Sequence, residues 1–281
     1  MEKIIFKNQK NDVLTGHYFR ADGASSCLPI VFATGTGIYQ NFYFKFCQWL
    51  CDVKKHPVFI FDYNGIGASL TVPIKDSKAT IRDWGQYDIP AAIDWLIEKT
   101  HAEKVILMGH SVGAQLTGIM PNYEKLSQVI GISASSGFVG QMPRSFRRKA
   151  LFFFNFYIPI SNLLLGYTAT KRIRMGENLP REVAKEWAQY CKTDGYIFNA
   201  VGKTVFVNYF DNLSCPYTIF YATDDEIATR ANVESLLKTF PNAQKKIIEI
   251  NPVDYGYSQL GHNLFFREKY QSLWPTLYQY I

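Results

Sequence analysis

The chain has 281 residues, of which 47% are hydrophobic and 19% charged, and its formal net charge is +6. The length suits one domain with an insertion, and the composition excludes a disordered or low-complexity chain. Lysine and arginine are scattered apart from one short cluster, so no nucleic-acid partner is expected. The chain has no apolar run of about eighteen residues, which argues against a membrane span. Met1–Phe6 lacks the apolar core of a signal peptide, so the sequence favours a cytoplasmic location.

The five cysteines form no CxxC pair. Cys47 and Cys51 are four residues apart, a spacing that places both on one face of a helix. Cys27, Cys191 and Cys215 are isolated. This pattern is typical of buried reduced thiols, and we expect neither a disulfide framework nor a metal site.

The predicted elements begin with a hairpin, because two alternating segments, Lys3–Lys7 and Val13–Arg20, flank turn residues. From residue 28 onward, short apolar runs alternate with helical segments, which predicts a mostly parallel sheet with helices on both faces. The further predicted strands are Leu28–Thr34, Val58–Tyr63, Val105–Gly109, Val129–Ser133, Tyr217–Ala222 and Lys246–Ile250. The predicted helices lie near Asn41–Val53, Ile81–Thr100, Val112–Met120, Asn232–Phe240 and Leu264–Tyr278, and Pro275 is expected to kink or shorten the last one.

The alternation stops between Gly137 and Leu213, a stretch that is rich in aromatic residues and contains a helical piece at Arg181–Cys191. An insertion after the sixth strand of a parallel sheet is expected to cover the strand ends. The sequence therefore predicts a core formed by residues 1–136 and 214–281 and a cap formed by residues 137–213.

The strongest local motif is Gly109-His110-Ser111-Val112-Gly113, between a predicted strand and a predicted helix. A residue on a tight strand-to-helix turn has a strained backbone, so its neighbours must be small. Such a turn exposes the serine hydroxyl and directs a helix N-terminus at a developing oxyanion. Ser111 is therefore predicted to be a nucleophile, with an ordinary helix N-cap as the alternative.

A serine nucleophile needs a base, and five histidines are available. His17 lies in the first hairpin, His56 precedes a strand and His101 ends a helix. His110 is inside the motif, where its side chain is expected to point away from the serine. His262 remains, after the last strand, and is the predicted base, with a surface loop histidine as the alternative.

The acid that orients the histidine should follow a late strand, and Thr223-Asp224-Asp225-Glu226 follows Thr218–Ala222. Counting from Pro216 along the strand favours Asp225, and Asp224 is the alternative acid.

The oxyanion needs backbone donors, and the amide of Val112 is one candidate. The loop Thr34-Gly35-Thr36-Gly37 follows an early parallel strand, and the amide of Thr36 is the predicted second donor. Because the chain has neither GxGxxG nor GK[ST] here, this loop does not predict nucleotide binding.

These motifs, in this order and spacing from about residue 28 to the C-terminus, resemble the α/β-hydrolases. The chain is most similar to largely uncharacterised bacterial α/β-hydrolases near the serine aminopeptidase and monoacylglycerol-lipase-like branch. Features shared with that group are Asp83-Trp84-Gly85, Asn178-Leu179-Pro180, Glu186-Trp187 and Gly261–Phe266. Thr34-Gly35 stands where the family usually has His-Gly. The resemblance implies the α/β-hydrolase fold and hydrolysis of an ester or related acyl bond without metal or cofactor.

The predicted cap begins with a basic run, Arg144–Lys149, followed by an aromatic run, Leu151–Tyr157. One interpretation is a basic rim beside an apolar surface, suited to acyl chains or to weak contact with an anionic membrane. The other is a solvated turn followed by a helix that packs on the core. Aromatic residues near the oxyanion loop favour an apolar acyl pocket, and among them Tyr43 could contact substrate or pack in the core.

Three functions follow in order of preference. The first is a serine hydrolase that cleaves a carboxylic ester of a small-molecule acyl substrate. The second is an enzyme that uses the same residues to hydrolyse an amide or peptide bond, or to transfer an acyl group. The third is a non-catalytic binding protein on the same scaffold. The acyl chain, the leaving group and the oligomeric state are left open.

Overall fold

A computed structural model describes residues 1–21 and 27–281. The strands are β1 (Glu2–Lys7), β2 (Val13–Phe19), β3 (Ile30–Ala33), β4 (Val58–Asp62), β5 (Val105–His110), β6 (Leu126–Ile132), β7 (Tyr167–Thr168), β8 (Leu179–Pro180), β9 (Pro216–Ala222) and β10 (Gln244–Ile250). The α-helices are α1 (Phe44–Asp52), α2 (Ile81–Asp83), α3 (Ile89–Thr100), α4 (Val112–Gln115), α5 (Arg144–Phe152), α6 (Ile158–Leu165), α7 (Arg181–Cys191), α8 (Arg230–Lys238) and α9 (Trp274–Tyr278).

Eight strands form one sheet in the order β1-β2-β4-β3-β5-β6-β9-β10. The hairpin β1-β2 is antiparallel, and β2 also runs antiparallel to β4. All the remaining neighbours in this sheet pair in parallel. The predicted mostly parallel sheet and the predicted N-terminal hairpin are therefore confirmed.

Each face of the sheet is covered by its own apolar core. Val31 of β3 and Leu107 of β5 lie in the first core, on one face of the sheet. Their neighbours Ile30 and Ile106 lie in the second core, on the other face. Side chains alternate along a strand, so a strand between two cores is apolar at every position. This double burial explains why these strands are continuous apolar runs in the sequence. Cys47 is buried on α1 beside the second core, as predicted.

Two helical stretches contain an internal proline, and a π-helical turn precedes each of them. Pro90 follows the turn Trp84–Asp88, and Pro159 follows Phe153–Tyr157. Proline lacks an N–H, and its ring clashes with the carbonyl four residues earlier in a regular helix. A π turn bonds each N–H to the carbonyl five residues earlier, which relieves that clash. The predicted helix Ile81–Thr100 is therefore helical throughout but not α-helical throughout.

The predicted helix Val112–Met120 is shorter than expected: α4 has one turn, and Thr117–Ile119 is a 3-10 turn. A Cβ on Gly118 would lie 2.2 Å from the ring of Phe210, so the end of the insertion packs directly on this backbone. The carbonyl of Gly118 accepts the backbone N–H of Tyr209 at 2.7 Å. The end of the insertion therefore contacts the chain directly after α4, where the helical path has become a 3-10 turn.

The prediction of one helix over Leu264–Tyr278 is wrong for most of its length. The structure has 3-10 turns at Leu264–Phe266 and Glu268–Leu273, and only α9 is α-helical. Tyr270 has φ −105° and ψ 19°, which breaks the helical path. Pro275 lies in the first turn of α9, where its missing N–H leaves no hydrogen bond unmade. The proline therefore marks the start of a helix.

Residues 137–213, the predicted cap, connect β6 to β9 and contain α5, α6, α7 and the β7-β8 pair. The Arg82 guanidinium donates to the Glu186 carboxylate, which joins α7 to the segment around α2. The backbone N–H of Glu177 donates to the carbonyl of Gly37 at 2.8 Å, which joins the insertion to the loop after β3. Within residues 1–21 and 27–281, no helix is both long and apolar enough to cross a membrane.

Candidate active site

Ser111 stands on a strained turn between β5 and α4, with φ 50° and ψ −114°. A Cβ on Gly109 would lie 2.3 Å from the backbone of Gly113, and a Cβ on Gly113 would lie 2.2 Å from the carbonyl oxygen of Ala33. Neither position accepts a side chain, which is the steric reason for the two glycines of the motif. A positive φ at a residue other than glycine costs about 1–3 kcal/mol and occurs most often at functional sites.

Three of the predicted side chains meet at this turn. His262 Nε2 lies 3.1 Å from Ser111 Oγ, and His262 Nδ1 lies 2.8 Å from Asp225 Oδ2. Ser111 and Asp225 lie just after β5 and β9, and His262 lies in the longer loop after β10; these parallel strands all end on the same side of the sheet. The three side chains therefore form one hydrogen-bonded series in the order Ser111, His262, Asp225.

Asp225 is buried, and its other carboxylate oxygen accepts the backbone N–H groups of Ile227 and Ala228 at 2.8 and 2.9 Å. Burial alone would raise the pKa of Asp225. The positive charge of His262, the hydrogen bond with its ring and the two backbone N–H groups outweigh burial, and the pKa is lower than usual. The carboxylate is therefore ionised where it contacts the imidazole.

Asp224, the alternative acid, contacts the histidine loop and not the histidine ring. Its two carboxylate oxygens accept the backbone N–H groups of Leu260 and Gly261 at 2.8 and 2.9 Å. Gly261 has φ +53° and directly precedes His262. The two neighbouring aspartates thus contact different parts of the same loop, one its backbone and the other its imidazole.

His110 is buried next to Ser111 and takes part in a hydrogen-bonded chain that the sequence did not reveal. Its Nδ1 lies 2.7 Å from the hydroxyl of Tyr43, and its Nε2 lies 2.9 Å from the backbone carbonyl of His262. The Tyr43 hydroxyl also accepts the N–H of Gly35 at 3.0 Å. This chain, Gly35–Tyr43–His110–His262, connects the oxyanion loop to the loop that carries the predicted base.

The direction of each hydrogen bond in this chain follows from chemistry. Burial, followed by the charge of His262, lowers the pKa of His110 to about 3, so its ring is neutral. The carbonyl of His262 can only accept, so Nε2 carries the proton and Nδ1 is the acceptor. Tyr43 therefore donates to Nδ1 and accepts from Gly35. Tyr43 is fully buried, which places it in the core and not against a substrate.

The two amides predicted to hold an oxyanion make no hydrogen bond within the described parts of the chain. These are the N–H groups of Thr36 and Val112, whereas the N–H of the neighbouring Gly35 donates to the hydroxyl of Tyr43. Thr36 lines the cavity that contains Ser111. Val112 is the first residue of α4, where helix amides lack a partner in the helix.

A cavity of about 320 Å³ lies over Ser111 and His262. The insertion contributes apolar side chains to it, among them Phe146, Met175 and Trp187. In the described parts of the chain, no group of three or more histidine, cysteine or acidic residues is placed to hold a metal ion. A larger groove of about 720 Å³ lies elsewhere, on the outer side of the insertion.

Sequence reasoning thus named the residues around Ser111 but missed the Tyr43–His110 link. No motif marks it, because the two residues are 67 positions apart and meet only through the fold. The expectation that the His110 side chain points away from Ser111 agrees with its contacts.

The family model described as "Serine aminopeptidase, S33" matches residues 26–265. No curated protein sequence matches the chain. A thermophilic esterase from Thermogutta terrifontis is similar in fold, with a TM-score of 0.60, 16% identity and coverage of 100% of this chain and 98% of the esterase.

Two further solved structures show the same fold. The monoacylglycerol lipase of Paleococcus ferrophilus has a TM-score of 0.57 and 14% identity, over 95% of this chain and 97% of the lipase. The enol-lactonase of Burkholderia xenovorans has a TM-score of 0.59 and 12% identity, over 99% of each chain. With the family match over most of its length, the chain belongs to the serine aminopeptidase S33 family and is a hydrolase with the α/β-hydrolase fold.

Proposed function

We propose that this protein is a serine hydrolase that cleaves carboxylic esters of small molecules with an apolar acyl group. The observation that carries the proposal is the contact of Ser111 with His262 and of His262 with Asp225, at the floor of a cavity. A serine hydroxyl at its ordinary pKa is a poor nucleophile, and the imidazole of His262, 3.1 Å from Ser111 Oγ, is placed to act as the base that it lacks.

In the proposed reaction, His262 Nε2 takes the proton of Ser111 as Oγ forms a bond to the ester carbonyl carbon. The N–H groups of Thr36 and Val112 stabilise the oxyanion, and Asp225 stabilises the imidazolium. The imidazolium then protonates the leaving alkoxide, and the carbon–oxygen bond breaks to give an acyl-enzyme. A water molecule, deprotonated by His262, attacks the acyl carbon and releases the acid, which restores Ser111.

The acyl preference rests on the lining of the cavity. Phe146 of α5 and Trp187 of α7 lie over Ser111 together with Met175, so the insertion supplies an apolar roof. Residues 137–213 therefore act as a cap in this proposal, and core residues 1–136 and 214–281 carry the chemistry. Apolar pockets favour acyl chains over polar acyl groups, because water leaves both surfaces.

A panel of p-nitrophenyl esters from acetate to palmitate tests the proposal, with aminoacyl anilides beside them. We expect ester turnover, with kcat/KM rising as the acyl chain begins to fill the cavity and then falling. Each methylene that enters an apolar site is worth about 0.8 kcal/mol, or roughly fourfold in kcat/KM. Turnover of the anilides that exceeds that of every ester would contradict ester specificity.

One observation favours an amide or aminopeptidase function as the second candidate. Glu226 lines the cavity, and its carboxylate has no hydrogen-bond partner within the described residues. Asp224 and Asp225 also line the cavity, but both are bonded to the histidine loop. A free carboxylate near Ser111 could bind a substrate amine. Under that function, Glu226→Gln would lower anilide turnover and spare ester turnover.

The link through Tyr43 leads to a separate prediction. Tyr43→Phe removes the group that holds the N–H of Gly35, next to the Thr36 amide, and leaves two buried polar groups without partners. We expect kcat on esters to fall roughly 10- to 100-fold with little change in KM, since the oxyanion donor moves. The free energy of unfolding should fall by about 1–3 kcal/mol.

The matched control is Tyr157→Phe, which removes a hydroxyl that donates to the carbonyl of Ala169 in the insertion. This variant should lose stability but keep kcat. Steady-state kinetics and urea unfolding of both variants measure the two effects. A kcat for Tyr43→Phe that equals the control value would show that the hydroxyl serves stability alone.

A further inference from the structure

The outer side of the insertion carries a continuous exposed stripe along one long helix. Helix α5, the π turn Phe153–Tyr157 and α6 follow one another without a break. The stripe has large apolar side chains at steps of three or four residues, each between 54 and 80% exposed: Phe152, Phe156, Ile160, Leu163 and Leu164. The rings of Phe152 and Phe156 stack on each other in the open, 5.7 Å apart. A contiguous apolar surface of this kind, exposed to solvent, is typical of an interaction site.

Positive charge lies at the start of the same helix. Arg144, Arg148 and Lys149 are exposed and form no ion pair within residues 1–21 and 27–281, whereas Arg147 donates to the carbonyls of Gly140 and Met142. The stretch from residue 144 to 165 contains no acidic residue. Cations at a helix N-terminus oppose the helix dipole, so the fold gains nothing from these charges.

The excess of positive charge in the chain is concentrated in the insertion. Residues 137–213 hold 11 lysine or arginine residues and 5 acidic ones, which accounts for the entire net charge of +6. The rest of the chain has 19 of each kind. Of the 17 exposed large hydrophobic side chains in the described residues, 10 lie in this insertion. Positive charge and exposed apolar surface therefore coincide in one segment.

The neighbouring groove of about 720 Å³ combines the same two properties. Its lining includes Ile158 and Leu163 of α6 and the cations Arg181, Lys185, Lys192 and Lys203, with no acidic residue. Arg181 lies 3.8 Å from Glu182, whereas Lys192 and Lys203 form no ion pair in the described parts of the chain. Such a groove suits the headgroup of an anionic lipid beside an apolar layer.

We propose that the exposed stripe and this groove form a docking surface for an anionic lipid bilayer. The stripe enters the apolar boundary of the bilayer with α5 and α6 lying in its plane, while the unpaired cations contact the headgroups. On its inner side the same helix contributes Phe146 to the cavity over Ser111. If the proposed esterase function holds, docking brings the cavity to a source of apolar esters, but the docking itself does not depend on catalysis.

Co-sedimentation of the full chain with unilamellar vesicles tests the proposal. We expect binding to phosphatidylcholine vesicles that contain about a third phosphatidylglycerol, much weaker binding to pure phosphatidylcholine, and weaker binding in high salt. Arg144→Gln with Arg148→Gln and Lys149→Gln should weaken binding to the anionic vesicles about a hundredfold, since each cation near such a surface contributes roughly fivefold. Phe152→Ser with Phe156→Ser, Leu163→Ser and Leu164→Ser should weaken binding to both compositions.

Two control variants remove the same number of cations and of exposed apolar side chains as the test variants, but at positions outside residues 137–213. These are Lys7→Gln with Lys104→Gln and Lys238→Gln, and Ile5→Ser with Val53→Ser, Val72→Ser and Val253→Ser, all at exposed positions. Both should bind like the parent chain. Equal losses in the stripe and control variants, or no binding to anionic vesicles, would overturn the proposal. A dimer that the serine variant dissociates, without vesicle binding by the parent, would assign the stripe to a second copy of the chain instead.

Discussion

Replacing Ser111 with alanine is expected to abolish labelling by a fluorophosphonate probe and to lower kcat on p-nitrophenyl esters by roughly 10⁴- to 10⁶-fold. The reason is that nucleophile, base and acid act as a unit, so the loss of one member removes most of their joint contribution. The residual rate would come from the oxyanion donors and from binding alone. Fluorescent gel labelling and steady-state kinetics measure the two effects.

Ser133 offers a matched control for this variant. It directly follows a neighbouring strand, β6, and has a positive φ of 53° like Ser111, but unlike Ser111 it is buried. Its backbone N–H donates to the carbonyl of Phe220, but its hydroxyl has no partner in the described parts of the chain. Ser133→Ala should leave both labelling and kcat within a few-fold of the parent. Labelling that persists in Ser111→Ala would assign the nucleophile to another residue, and no labelling of the folded parent chain would favour a non-catalytic binding protein.

Replacing Asp225 with asparagine is expected to lower kcat about 10⁴-fold, with KM little changed. The amide cannot both orient the His262 ring in the correct tautomer and stabilise its positive charge. The lowered pKa of Asp225 shows that the carboxylate is stabilised in its ionised form at this contact, which the neutral amide loses. The measurement is the full kcat and KM profile on one ester.

Asp224→Asn is the comparison that distinguishes the two neighbouring acids. It keeps a side chain of the same size and retains one oxygen acceptor for the N–H of Leu260 or Gly261. We expect a loss of about tenfold at most, since the loop shifts while the Asp225–His262 contact remains. A greater loss in Asp224→Asn than in Asp225→Asn would exchange their roles.

The sequence predicted the fold because its dominant signals are local. Continuous apolar strands between helices imply burial on both faces, and the structure has two cores there. The motif around Ser111 could also be recognised locally, since its two glycines are demanded by contacts within a few residues and with one adjacent strand. The order of Ser111, the acids and His262 along the chain was likewise enough to propose three roles.

Helix lengths were less predictable, because contacts between distant segments set them. Phe210 packs on Gly118, where the helix after Ser111 has already given way to a 3-10 turn, and Pro275 lies in the first turn of a helix that the pattern predicted to start earlier. In both places the local pattern of apolar residues is compatible with a longer helix. At Gly118 the chain contacts residues remote in sequence. At Pro275 the missing N–H favours a position in the first turn of a helix.

By itself, the sequence determined the fold class, the serine turn and a choice between two acids. Only the tertiary structure decided that Asp225 contacts the His262 ring while Asp224 contacts its backbone, and that Tyr43 and His110 join the oxyanion loop to the histidine loop. The reason is physical. A strand or a tight turn is specified by sterics among near neighbours, whereas a hydrogen bond between loops depends on the relative positions of strands that are far apart in the chain.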